Sequence, residues 1–229
     1  MDADVVKKFY NVNRNIISSQ EQEQLKNTLE TEAAQNDPEG IFLLGRLYYE
    51  GFCVKQDYTK ARHLFEKASE AGHDWSTVYL GYCYYYGRQI PVNYAKAWKA
   101  FSTAAKNNNH CALYKMGDMY RDGLYVTRSA TQALTYYQRA IQLIDPTIPE
   151  YPNIAARIGH CQAMGLGCTK DELKGLQWLH TAQEGCYTLL TKGDPYAHLS
   201  LPQIEADIQK TVASLHKELI KNAYNVQYT

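Results

Sequence analysis

GIFLLGRLYYEGFCVKQDYTKARHLFEKASEAGH, residues 40–73, sets the pattern of the chain, because its small and apolar residues return three more times. With Gly45 as anchor, the same place is held by Gly81, Gly117 and Gly159, at intervals of 36, 36 and 42 residues. Six residues past each anchor stands a second glycine (Gly51, Gly87, Gly123, Gly165), and twenty-three past it an alanine (Ala68, Ala104, Ala140, Ala182). Sixteen past it come Ala61, Ala97, Ala133 and Gly175, and one before it Leu44, Leu80, Met116 and Ile158. Three past it the first three copies carry Tyr48, Tyr84 and Tyr120, and the fourth Gln162. A period of this length means a solenoid, in which each unit buries its apolar face only by stacking on its neighbours.

Each unit reads as two helices. The first stops at the second glycine, which can take the left-handed conformation of a C-terminal cap. Twelve residues past each anchor stand Asp57, Asn93, Ser129 and Asp171, whose side-chain oxygens can accept the free amides of a helix start. The columns predict helix pairs near 38–50 with 57–71, 74–86 with 93–106, 110–122 with 129–143 and 154–164 with 171–184. The anchor glycine lowers helix propensity by roughly 1 kcal/mol against alanine, so it marks a close helix contact.

The sequences LGRLYYEG, VKQDYTKA and FEKASEAG of the first copy resemble the Sel-one-like repeat (SLR) family, a relative of the tetratricopeptide repeat, over roughly residues 38–186. The resemblance implies an all-α fold, a right-handed α/α superhelix of about four helix pairs with N- and C-terminal capping helices. It also implies an adaptor or scaffold that holds a protein or peptide partner in a groove lined by first helices. Departures are Cys53 in place of the loop's second glycine, and Gln162 and Gly175 in the fourth copy. The expected domains are 1–37 as N-terminal cap, 38–186 as solenoid (units about 38–73, 74–109, 110–152 and 153–186) and 187–229 as C-terminal cap and tail. The proline-bearing stretch IDPTIPEYPN reads as a stiff loop. The last residues, from about Ala223, read as frayed.

Lysine plus arginine number 24 and aspartate plus glutamate 24, a balance that argues against nucleic-acid and anionic-membrane partners. No stretch approaches the ~20 apolar residues of a membrane span, and the start MDADVVKKFY does not read as a secretory signal. The expectation is a cytoplasmic protein with reduced cysteines, Cys83, Cys161 and Cys168 occupying apolar slots. A cysteine after the closing Lys-Ala, as in secreted family members, is missing.

No nucleotide loop, HExxH, CxxC or Gly-x-Ser-x-Gly motif occurs, so no catalytic residue, metal or cofactor is expected. Ser214-Leu215-His216-Lys217 fits the Ser-x-x-Lys of β-lactamase-like hydrolases, to which some family members are linked, but its companion motifs are missing and it falls on the expected cap helix. Asp118 and Asp122 read as a solvated face. The expected partner surface is the stripe at offsets −3, +1 and +4 of the first helices. It holds Phe42, Arg46 and Tyr49, then Val78, Tyr82 and Tyr85, then Tyr114, Asp118 and Arg121, and His160 in the last copy, with Trp75 and Tyr86 extending it. Tyrosine and arginine are the types that concentrate binding energy at interfaces. The resemblance leaves a second reading open, a bacterial effector or immunity-type protein engaging a host or toxin partner.

Overall fold

The computed structural model describes residues 18–194 and 196–227, with side chains as far as Lys221; the expectations for residues 1–17 lie outside them. The described residues form helices joined by turns, with no strand among them. The chain divides into two compact units, Met1–Ala112 and Leu113–Thr229.

The first unit holds α1 (Ser19–Ala34), α2 (Pro38–Glu50), α3 (Tyr58–Glu70), α4 (Asp74–Tyr86) and α5 (Tyr94–Lys106). Each of these helices packs on the next. The boundary falls in the first turn of α6 (His110–Asp122). The second unit continues through α7 (Ala130–Ile141), α8 (Tyr151–Met164), α9 (Glu172–Thr191), a 3₁₀ turn at Ala197–Leu199 and α10 (Leu201–Gln227). Here α8 packs on α7 and α9, and α9 on α10. No helix among the described residues is long and apolar enough to cross a membrane.

Local chemistry explains the recurrence. Asp57, Asn93, Ser129 and Asp171 cap the second helices, each side chain accepting from the amide three residues on. Each cap's own N–H donates 2.9 Å to a first-helix carbonyl, on Tyr48, Tyr84, Tyr120 and Gln162 in turn, so the turn has one geometry four times. First helices end at Gly51, Gly87, Gly123 and Gly165 with φ between 65° and 69°. Two residues later a second left-handed position recurs, held by Cys53, Gln89, Tyr125 and Gly167. Only the last copy places there the residue free of a Cβ penalty.

The anchor glycines answer to a column twenty residues on, Phe65, Phe101, Tyr137 and Leu179. A Cβ on Gly45 would lie 2.7 Å from the Phe65 ring, on Gly81 2.5 Å from Phe101, and on Gly117 2.5 Å from Tyr137. On Gly159 it would lie 2.9 Å from Leu179 and from the Gly175 carbonyl. Each unit therefore closes by seating a buried ring, or a leucine, on a bare patch of the first helix. The core of the first unit joins Leu25 and Leu29 of α1 to Phe42, Leu47, Phe65 and Ala68.

Three local expectations are corrected. The second helix of the fourth copy does not end near 184; α9 runs to Thr191, and Gly185 lets it pass Pro152, whose Cγ is 2.6 Å from where a Cβ would stand. Helix α10 continues to Gln227 instead of fraying from Ala223. Cys83 and Cys161 are buried as expected, whereas Cys168 is exposed. The slot of Cys168 follows the left-handed loop residue, and even Val54, Ile90 and Val126 are only half-buried there.

Candidate functional site

The expected stripe separates into three layers. Offset −3 is interior: Phe42 is 1 % exposed and Val78 fully buried, and Tyr114 is buried too. Phe42 lies 4.7 Å from the His73 ring and 5.4 Å from Tyr79, inserted between α2 and α4, so it presents no surface to a partner. Offsets +1 and +4 are half-buried in the first unit, at Arg46, Tyr49, Tyr82 and Tyr85. Tyr86 stands furthest out, 44 % exposed. Trp75 meets His110 edge-on at 5.5 Å.

In the first unit these side chains form a continuous wall. Tyr49 contacts Tyr79 at 5.4 Å, Tyr79 contacts Tyr82 at 5.6 Å, and Tyr86 touches Tyr82 and Tyr85 at 6.2 and 4.8 Å. Tyr82 and Tyr85 rest on the Phe101 ring that seats on Gly81, so they are held by the same packing that closes the repeat. Most rings meet tilted or edge-on, the favoured arrangement of aromatic quadrupoles. Arg46 bonds Glu50 at 2.7 and 2.9 Å with its guanidinium 5.6 Å from the Tyr79 ring.

Arg88 completes the wall. Its guanidinium lies 5.2 Å from the Tyr58 ring, 5.1 Å from Tyr86 and 6.0 Å from Tyr49. It pairs with no carboxylate among the described residues, and its buried Nε has no acceptor. Burial disfavours its charge, but a hydrogen bond to Tyr49 and the surrounding rings outweigh that and raise its pKa. Burial also pushes the Tyr49 hydroxyl up, and the Cys83 thiol up to about 12. Sequence reasoning passed over Arg88, although a signal existed: its column reads Phe52, Arg88, Leu124 and Leu166, a charge in an otherwise apolar place.

In the second unit the stripe becomes a charge network. Asp118 is 2 % exposed, ion-paired with Arg121 at 2.9 Å, and accepts from Arg157 at 3.2 Å, Lys115 at 3.3 Å and the Tyr137 hydroxyl at 2.9 Å. Neither a solvated face nor a partner-facing group describes it. Burial alone would raise its pKa; the Lys115, Arg157 and Arg121 cations outweigh that and hold it below the usual carboxylate value. Tyr137 is the one member of its ring column with a hydroxyl, and Asp118 is its acceptor. Arg121 also grips Asp122 through two bonds of 2.7 and 2.6 Å. His160 bonds buried Asp207 through Nδ1 at 2.9 Å, and Gln203 donates to the other Asp207 oxygen at 3.0 Å. Burial pushes the neighbouring Cys161 thiol up to about 11, away from nucleophilic use.

Ser214 lies on α10 near Glu172, a carboxyl that the Lys170 ammonium at 2.6 Å, with Ser214, draws below its usual range. Lys217 is exposed.

A family model described as Sel1 repeat matches residues 38–73, 76–109, 112–145 and 155–182. No curated protein matches. A solved Sel1 repeat protein from Oxalobacter formigenes is 22 % identical, with 95 % of this chain and 91 % of that one aligned at a TM-score of 0.66. A protective antigen of uropathogenic Escherichia coli strains with an SLR fold is 23 % identical, covering 85 % of this chain and 44 % of that one at 0.59. A sel1 repeat protein from Klebsiella pneumoniae subsp. pneumoniae is 19 % identical, covering 89 % and 98 % at 0.53. These likenesses are of fold, and the four matched repeats coincide with the four glycine-anchored helix pairs; the chain belongs to the Sel1 repeat family.

Proposed function

We propose that the protein is a scaffold that binds a protein or peptide, and that its ligand lies across the tyrosine-arginine wall of the first unit. The observation that carries this reading is Arg88: a guanidinium set among Tyr49, Tyr58 and Tyr86 with no carboxylate beside it among the described residues. A half-buried guanidinium held against ring faces with an unpaired Nε keeps donors to spare, and it gains when a ligand brings an acceptor. Exposed tyrosine next to arginine suits a peptide that places an apolar side chain beside an acidic one. The reading is of a binding protein without cofactor or catalytic step. Six free cysteines, four of them buried, suit a reducing compartment such as the cytoplasm. In this reading α1 and α10 cap the repeat array.

Selection of a displayed random-peptide library against the whole chain tests the proposal. Selected peptides should carry an aspartate or glutamate near a large apolar residue. Truncating Tyr86 to alanine, or Arg88 to glutamine, should weaken them at least about tenfold, equivalent to ~1.4 kcal/mol. Peptides that bind both variants as tightly as the parent would place the ligand elsewhere.

A further inference from the structure

The second unit contains a cavity of about 340 Å³ whose walls come from the end of α6, the start of α7, α8, the loop after α8, and α10. That volume is in the range of small ligand sites. Arg121, Arg128, Arg157 and His160 line it, together with the apolar Leu166 and the alanines of the first turns of α7. The loop residue Gly167 passes so near α7 that a Cβ would stand 2.5 Å from the Ala130 carbonyl, which brings Leu166 to the rim.

The charges in and beneath this cavity do not cancel. The carboxylates are Asp118, shared by Lys115, Arg121 and Arg157; Asp122, held by Arg121; and Asp207, held by His160 and Gln203. Against these three stand four fixed cations, Lys115, Arg121, Arg157 and Arg128. Arg128 makes no ion pair or hydrogen bond among the described residues, and it is exposed at the cavity wall. Arg157 spends its Nε on Asp118, and its two terminal amino groups have no acceptor among the described residues. The N-terminus of α7, whose Ala130 and Ala133 face the cavity, adds a partial positive charge.

We propose that this cavity receives a single carboxylate, the side chain of a glutamate or aspartate in an acidic peptide segment, between Arg128 and the free fork of Arg157. The excess of about one positive charge matches a monoanion, and a phosphate dianion would bring more charge than the site balances. The peptide is favoured over a free small acid because Leu166, 37 % exposed at the rim, offers an apolar contact that a small acid alone would leave wet. This site is independent of the tyrosine-arginine wall, and its failure would leave that reading standing.

The probe is an end-capped, fluorescein-labelled peptide of alternating glutamate and leucine, titrated into the full chain and followed by anisotropy. Saturable binding is expected. Exchanging Arg128 for glutamine, or Arg157 for lysine, should weaken it roughly tenfold, since lysine keeps the pairing charge at Asp118 but not the fork. Neither exchange should lower the melting temperature by more than a few degrees, and a double Lys170→Gln, Lys174→Gln variant should bind as the parent. The proposal is overturned if no saturable binding occurs, or if both arginine variants bind like the parent. It is also overturned if the double Lys170→Gln, Lys174→Gln variant loses as much as the arginine variants, which would mean diffuse charge attraction. Competition by inorganic phosphate at lower concentration than the unlabelled peptide would overturn the choice of a carboxylate, and equal competition by glutarate would overturn the peptide.

Discussion

Replacing Asp118 by asparagine isolates the charge at the centre of the second unit, because the amide keeps the size and an acceptor for the Tyr137 hydroxyl. What it removes is the anion between Lys115, Arg121 and Arg157, which approach to 3.3, 2.9 and 3.2 Å. Breaking a buried ion pair from one side costs about 3–5 kcal/mol, since it strands the opposite charge. Arg121 and Arg157 keep 31 % and 35 % side-chain exposure, so water takes up part of the loss. The expected cost is therefore about 3 kcal/mol, at the low end of that range. For a chain of this size it lowers the melting temperature by roughly 6–12 °C. Asp122→Asn removes an exposed partner of the same Arg121 and should cost no more than about 1 kcal/mol. Urea and thermal denaturation followed by circular dichroism measure both. The pH dependence follows from the direction of the shift: the folded pKa of Asp118 lies below its ordinary 3.8. Its stabilisation is therefore fully present above that value and is lost as pH falls through the folded pKa. The gap between parent and Asp118→Asn should stay constant from about pH 5 to 8 and narrow progressively as pH falls below about 4. A variant within about 1 kcal/mol of the parent at neutral pH, or a gap that does not narrow as pH falls below about 4, would refute the electrostatic account.

Two further outcomes follow from the packing. Gly81→Ala should lower stability by about 1 kcal/mol net in urea denaturation, because the Cβ meets the buried Phe101 ring at 2.5 Å and overpacking outweighs the helix propensity gained. Native-state thiol labelling should show a fast phase that Cys168→Ser removes, while the buried Cys83, Cys111, Cys161 and Cys186 react only as the chain opens.

The repeat was legible because its signals are local. A glycine that must take positive φ and an Asp, Asn or Ser that must cap a helix are fixed by the chemistry of a few neighbouring residues, and all four turns follow them. The surface layer of the expected partner stripe was only partly legible. A helical wheel drawn for α2 places Phe42, Arg46 and Tyr49 together, but Phe42 is covered by Tyr79 of the next repeat, a contact that no single helix reveals. Asp118 was misread for the same reason: its partners Tyr137 and Arg157 lie 19 and 39 residues away, on α7 and α8. Cys168 was assigned to the core from hydrophobic column-mates that are themselves only half-buried.

The columns that vary are where a ligand of the proposed kind would meet chemistry that the repeat does not fix. The anchor glycine and the residue twenty places on cannot change independently, because each ring fills the space that its glycine leaves. The cap and the second glycine are bound likewise to the turn. Two before the anchor, the copies read Leu43, Tyr79, Lys115 and Arg157; one after it, Arg46, Tyr82, Asp118 and His160; seven after it, Phe52, Arg88, Leu124 and Leu166. These places lie on the same first helices and just beyond their ends, but the seating of the ring does not dictate them. In the first unit they supply Arg46, Tyr79, Tyr82 and Arg88, a wall of aromatic faces with one cation lacking a counter-ion. In the second they supply Lys115, Asp118, Arg157 and His160, a network of charges with one cation in excess. The two surfaces are thus chemically different although they stand on one backbone pattern. A ligand for the first should lose affinity chiefly when apolar contact is removed and only in part, through Arg88, when salt is raised; a ligand for the second should weaken mainly with salt, because exposed charge pairing is screened within about 8–10 Å at moderate ionic strength and aromatic contact is not.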